Sequence, residues 1–362
     1  MTDHATAEPG KELQGLESFV ADWSSDQEAF KKVHWGKAMM WIFLLSDTFV
    51  FSCFLTSYMT VRSSTTIPWP NPSEVFALNI GGVEVPLLLI AIMTFDLITS
   101  SGTMALAVNY GYRRDRTKTF WLMLATAAFG AAFVSMQAFE WTKLILEGVR
   151  PWQNPWGAPQ FGSCFFMITG FHGLHVSIGV IYLTTIAFKV KRGDYERKGN
   201  YEVVEIAGLY WHFVDLVWVF IFAFFYLWRG ASMDHGHATP EALPQQAPDT
   251  AHGQQHPLGI YFAIWGLLFV LSTFSYLVDY FQFHGLARWL LILLFMWLKA
   301  GLIVAVFMHM KWERSPLMYA ILVPPLLLGV LVTLMSIESN YTFWTRIIFF
   351  GLRTIGSQPG AL

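Results

Sequence analysis

Apolar residues run through this chain in long blocks separated by short polar stretches. A helix that crosses a bilayer needs about 20 mainly apolar residues. Eight blocks meet that length, at approximately 38–61, 86–108, 120–146, 161–188, 203–228, 258–281, 287–311 and 317–337. They predict transmembrane helices, because in lipid the backbone polar groups must be satisfied within the segment itself. The stretch from Arg229 to Pro257 is rich in Pro, Gln, Ala and His and cannot bury a core, so it reads as a linker. The fold class expected is all-α, a polytopic membrane helical bundle of about eight transmembrane helices grouped five plus three. The expected organisation is an N-terminal polar or amphipathic segment (1–37), a five-helix module (38–230), the linker (231–257), a three-helix module (258–340) and a C-terminal tail (341–362).

Between Lys11 and Lys37, the residues Leu13, Leu16, Phe19, Val20 and Trp23 recur at helical spacing among charges. That pattern predicts a short helix, either lying on the membrane surface or solvated. The N-terminus lacks the basic region, short apolar run and small-residue cleavage site of a removable signal peptide, so this segment is expected to stay.

Composition agrees with a membrane class. The 362 residues are 54% hydrophobic and only 13% charged, whereas soluble domains carry about a quarter charged residues. The 23 basic and 25 acidic side chains nearly cancel, and no basic stretch is dense enough to track a phosphate backbone, which excludes nucleic acid as a partner. Cys53 and Cys164 each lie within an apolar block and read as packing thiols. The sequence has no CxxCH haem attachment, paired-cysteine copper motif, Walker loop or GxGxxG. His235, His237, His252 and His256 fall in the linker and read as part of a solvated tract.

Lys and Arg concentrate on the cytoplasmic side of membrane proteins. Lys31, Lys32 and Lys37, then Arg113 to Lys118, then Lys189 to Lys198 mark inside loops, and the Pro- and Trp-rich connections near 68–86 and 150–159 face outward. Counting onward puts the linker outside and the C-terminus inside. The same count puts Lys311 and Arg314 outside, against the rule, so the topology of the three-helix module stays open.

Charged side chains in a span cost at least ~2.5–3.5 kcal/mol on insertion scales, so each needs a partner or a role. His172 and His175 lie three apart on the fourth span; Glu205, His212 and Asp215 share a face of the fifth. A polar network between these spans is expected. It has three readings: a metal or haem site, a proton or ion path, or groups that satisfy one another and fix helix packing, the last being favoured. Asp47, about nine residues into the first span and thus ~14 Å deep, and Asp96 in the second are further buried carboxylates. Gln137 and Glu140 lie three apart in the outward half of the third span, and Lys299 lies near the middle of the seventh. Lys299 either pairs with a carboxylate on another subunit or, the commoner case, snorkels from a span placed a few residues wrongly.

At this point the residues resemble a family. The segments FGSCFFMITGFHGLHVSIGVIY (Phe161–Tyr182) and EIAGLYWHFVDLVWVFIFAFFYLW (Glu205–Trp228) look like two characteristic helices of subunit III of haem-copper oxidases. FLLSDTFVFSCF around Asp47, LITSSGTMALA after Asp96 and AFGAAFVSMQAFEW ending at Trp141 are similar to the remaining core helices. The run KAGLIVAVFMHMKWE (Lys299–Glu313) resembles the small subunit IV of bacterial oxidases, where the following loop lies inside. Asp47 stands where the family more often has glutamate. Five spans rather than seven resemble the short form found in quinol oxidases and in proteins associated with nitric oxide reductase, which leaves the electron donor open between cytochrome c, the first expectation, and quinol.

The resemblance implies a subunit III fused at its C-terminus to a subunit IV-like module in the bacterial cytoplasmic membrane. Such a chain holds no cofactor, with haem and copper carried by partner subunits I and II. It binds phospholipid, supports proton uptake during oxygen reduction and has no catalytic residue or metal site of its own. Membership of a larger respiratory supercomplex stays open. Asp47 is the proton-supply candidate; His172, His175, Glu205, His212 and Asp215 are implied to be structural or lipid-proximal. A secondary ion or proton transporter, a nitric oxide reductase-associated subunit and a self-contained metalloenzyme built on His172, His175, Glu205 and His212 are the competing readings.

Overall fold

The computed structural model describes residues 35–80, 83–198, 201–227, 258–280 and 286–308, with isolated positions at 334, 338, 341 and 345. The expected N-terminal amphipathic helix, the linker and, apart from those isolated positions, the eighth span and the C-terminal tail lie outside the described residues. Among the described residues, seven helices are long and apolar enough to cross a membrane. They are α1 (Trp35–Ser64), α3 (Leu88–Tyr112), α4 (Arg116–Leu146), α5 (Gln160–Arg192), α7 (Glu202–Ile221, continued by a π-helical turn Phe222–Tyr226), α8 (Leu258–Tyr280) and α9 (Leu286–Leu302, continued by a π-helical turn Ile303–Phe307). Each overlaps its expected span. The chain is a polytopic, helical, multi-pass membrane protein, and its helices run past the apolar blocks into the polar flanks.

Helix ends follow local chemistry. Asp115 caps α4, its Oδ1 accepting from the Lys118 N–H at 3.1 Å; that bond and the nearby Lys118 ammonium hold the carboxyl below its usual range. α5 stops at Gly193, which takes a left-handed φ of 77° and lets its N–H bond back to Lys189 and Val190 carbonyls. Between α1 and α3 come a short helix α2 (Pro72–Val75), capped by Asn71, and an antiparallel hairpin of β1 (Leu78–Ile80) and β2 (Val83–Val85). The Ala158 N–H donates to the Pro68 carbonyl at 3.2 Å and ties the two outer connections together.

α7 is the central helix, with only Glu202, Val203, Leu216 and Phe220 not buried. Small residues make room for it, since helices in lipid associate by close packing rather than by hydrophobic exclusion. The Trp211 ring lies against Gly130 of α4 and Gly179 of α5. Along α3, three side chains bond to α7: Trp218 Nε1 donates to Thr94 Oγ1 at 3.0 Å, Trp211 Nε1 to Ser100 Oγ at 2.9 Å, and Ser101 Oγ to Asp215 Oδ2 at 2.7 Å.

Both ends of the bundle are marked by contacts. At the basic, inner end Lys37 of α1 meets Glu205 at the start of α7, and Arg116 of α4 meets Glu196 of the short helix α6 (Asp194–Lys198). At the outer end the Lys143 ammonium donates to the Ala77 carbonyl. α8 begins at the inner end, where Tyr261 interacts with Glu205 and packs 6.2 Å from Phe307, and finishes at the outer end, where the Tyr276 hydroxyl donates to the Pro86 carbonyl at 3.3 Å. α9 returns inward, starting with Arg288 donating to the Leu227 carbonyl at 2.8 Å. This corrects the linear count, in which the sixth span starts outside. The described part of α9 and its π-helical continuation thus end, at Met308, on the inner side. Leu227 and Leu258 consequently lie at opposite ends of the bundle.

Candidate functional site

The polar residues inside the spans form separate pairs and clusters, each bridging particular helices. Asp47 of α1 meets His175 of α5, with Nε2 and Oδ2 3.1 Å apart and both side chains nearly buried. Asp47 is twelve residues into α1, or ~18 Å from its inner end at ~1.5 Å per residue. His175 Nδ1 lies 2.8 Å from the Phe171 carbonyl, an acceptor, so the hydrogen is assigned to Nδ1. A second proton then belongs between Nε2 and the carboxyl, because two facing lone pairs at that distance repel. The contact is an ion pair when the imidazole is protonated, so it is a place in the bundle where His175 can hold a proton against Asp47. Phe51 and Phe171 wall the imidazole at 5.4 and 4.7 Å between ring centres.

His172, one turn away, has a different environment. It is fully buried, stacked 5.4 Å from Trp218 and edge-on to Phe133, and neither ring nitrogen has a hydrogen-bond partner. It is an aromatic among aromatics.

The α7 groups turn towards α1 and α3. Glu205 pairs with Lys37 at 3.1 Å and accepts from the Tyr112 hydroxyl. Ser101 spends its one hydrogen on Asp215, so at 3.3 Å from His212 Nδ1 it accepts, giving a relay from His212 through Ser101 to Asp215. Lys299, 2% exposed, interacts electrostatically with Asp215, 1% exposed, and holds its ammonium 5.2 Å above the Phe222 ring. Lys299 is buried rather than snorkelling, and the carboxylate within electrostatic reach of it, Asp215, is in this chain and not on another subunit. At the outer half, Gln137 Nε2 and the Tyr226 hydroxyl both donate to Glu140 Oε2, at 2.7 and 3.2 Å. Asp96 is half-buried on α3 and joins none of these clusters; its Oδ2 has no hydrogen-bond partner.

The expected network between the fourth and fifth spans is thus redistributed. Tyr210 of α7 does reach α5, donating to the His175 carbonyl at 3.0 Å, but the side-chain partners of His175 and Asp215 are on α1 and α3. His172, His175, Glu205 and His212 do not converge, and among the described residues no three His, Cys, Asp or Glu side chains gather as a metal site. Ser101, Tyr112 and Arg288 were not legible as site residues. Serine, tyrosine and a terminal arginine are ordinary in such positions, and only the neighbouring helix gives them a role.

A polytopic bundle crossed by a carboxylate–histidine pair defines an integral membrane protein. Residues 25–230 match the family model described as cytochrome c oxidase subunit III, and the chain belongs to that family. Residues 262–333 match prokaryotic cytochrome c oxidase subunit IV, so a subunit III is fused to a subunit IV-like module. Among curated proteins it is similar to the probable quinol oxidase subunit 3 of Staphylococcus aureus (strain USA300), 33% identical over 194 residues, which are 53% of this chain and 88% of the relative. The probable quinol oxidase subunit 3 of Staphylococcus haemolyticus (strain JCSC1435) is 30% identical over 192 residues, with the same coverage. Membership makes this chain part of a haem-copper oxidase complex, in association with other oxidase subunits.

Proposed function

We propose that this chain is a non-catalytic accessory subunit of an aerobic terminal oxidase in the bacterial cytoplasmic membrane, seated against the catalytic subunit I beside subunit II and helping to supply it with protons. The observation that carries this reading is the Asp47–His175 contact and its place. Phe43 and Val50, one turn to either side of Asp47, are exposed, as are Leu174 and Ile178 beside His175. The proton-bearing pair therefore lies one side chain beneath an apolar face suited to a neighbouring helix. Haem and copper are proposed to reside in the partner subunits, a reading supported by the match to the subunit III family. Phospholipid binding is proposed at the inner rim, where Lys189, Asp194, Tyr195 and Arg197 line a cleft of about 370 Å³. The family description names cytochrome c and the curated relatives quinol, so turnover with each donor decides between them.

Purification from native membranes tests the assignment. The chain is expected to co-migrate with haem-containing subunits at fixed stoichiometry. A stable solitary chain would overturn it, and ion flux in liposomes holding only this chain would restore the transporter reading.

A further inference from the structure

The outer half of α4 carries a polar stripe that the Asp47–His175 contact does not use. Gln137, Glu140, Lys143 and Glu147 are spaced three, three and four apart and so share one face of the helix. Exposure rises along it. Gln137 and Glu140 are 4% and 3% exposed, Lys143 is half-buried, and Glu147 lies exposed at the helix end. Glu140 is held from one side: Gln137 Nε2 and the Tyr226 hydroxyl both donate to its Oε2, Tyr226 reaching it from the π-helical turn that continues α7. Its other oxygen, Oε1, is buried and has no hydrogen-bond partner in the protein. A buried carboxyl oxygen without a partner is costly, so Oε1 calls for one from outside the chain.

Such a partner has room. Glu140 lines a cavity of about 10 Å³, the size of one water molecule, walled by Val75, Phe76 and Leu78 of the outer connection, Leu89 of α3 and Lys143. The Lys143 ammonium has three hydrogens; the Ala77 carbonyl takes one and Glu147, 3.6 Å away, faces it from the outer side, which leaves a donor for the cavity. We propose that Glu140 is a proton-exchange site open to the outer face, working through a single water held between its Oε1 and Lys143. On release the Oε1–H bond breaks, the carboxylate keeps the bonding pair, and the proton leaves with the cavity water towards the outer solvent beside Glu147; uptake is the reverse. Lys143 stays charged throughout and orients the water. The titratable groups facing Glu140 are Lys143 on its own helix and Tyr226 on the continuation of α7, while α2, β1 and α3 meet the cavity with apolar side chains. The site is separate from the Asp47–His175 contact, which joins α1 to α5.

The test uses the purified complex in vesicles with its outer face outward and a buffered interior. Infrared difference spectra follow the carbonyl stretch of protonated carboxyl groups as the outside pH is raised from about 6 to about 9, a range that buried carboxyls reach. One band is expected to fade as outside pH rises, to ignore pH changes made inside, and to be absent from the Glu140→Gln complex. Val75→Ile and Leu89→Phe add carbon atoms to the cavity wall and displace the water, so each is expected to lose the response while keeping full haem content. If both cavity variants lost haem, the unaltered complex would still decide, by which side's pH its band obeys. The absence of any band assignable to Glu140, a band that follows the inside pH, or a cavity variant with full haem content that responds as the unaltered complex does would each overturn the proposal.

Discussion

A β-carbon at Gly179 would stand 2.9 Å from the Trp211 ring. The indole at the centre of the bundle thus rests on α5 with no room for another atom, while its Nε1 donates to Ser100 Oγ on α3. Gly179→Val is expected to destabilise the chain by about 1–3 kcal/mol, the usual cost of overpacking. Trp211→Phe keeps most of the volume and loses the hydrogen bond, about 0.5–1.5 kcal/mol. Gel filtration after graded heating should rank the variants in that order, and equal midpoints for all three proteins would mean that Trp211 does not organise the core.

Asp47→Asn preserves shape and hydrogen bonding and removes the group that shares a proton with His175. The complex is expected to assemble with full haem content but to lose activity faster during sustained turnover, most clearly at pH about 8.5 rather than about 6.5, because supply limits where protons are scarce. Oxygen-consumption time courses, normalised to haem, give the comparison. Decay matching the unaltered protein at both values would remove the proton-supply role.

His172 and His175 make opposite predictions. His172→Phe should retain haem content and turnover, since an apolar ring replaces one whose two nitrogens have no partner in an aromatic cage. His175→Phe strands the Asp47 carboxyl in the bundle and should lower the amount of assembled complex, at about 1–3 kcal/mol. Haem spectra of membranes carrying each variant measure this. Loss of turnover per haem in His172→Phe would give that imidazole a chemical role.

The direction of α8 is open to direct measurement. With the native cysteines replaced, Gly259→Cys is expected to resist a membrane-impermeant maleimide added outside, and Tyr280→Cys to react. Both positions are exposed on the helix. Labelling of position 259 from outside would place the second module upside down relative to the contacts of Tyr276 with Pro86 and Arg288 with Leu227.

Hydropathy placed the spans well: 38–61 became Trp35–Ser64 and 161–188 became Gln160–Arg192. The polar residues inside them were equally visible, and so was the family, through FHGLHV and WHFVD. Their partners were not. His172 and His175 look equivalent at a spacing of three, yet one turns inward to Trp218 and the other outward to Asp47. The linear count left the direction of the second module open, and it is the contacts of α8 with Glu205 at one end and Pro86 at the other that decide it.

The amino-acid sequence by itself determined the membrane class, the approximate position of each described span and most of the ionisable groups buried in them. These follow from the free energy of moving each residue into lipid, a property summed along the chain. Only the tertiary structure decided that Asp215 is bound by Ser101, 114 residues away, and faced by Lys299 of the second module. Such pairings depend on how each helix is rotated and which neighbour it touches, and every apolar helix face is nearly equivalent in lipid until close packing and a few opposite charges choose between them.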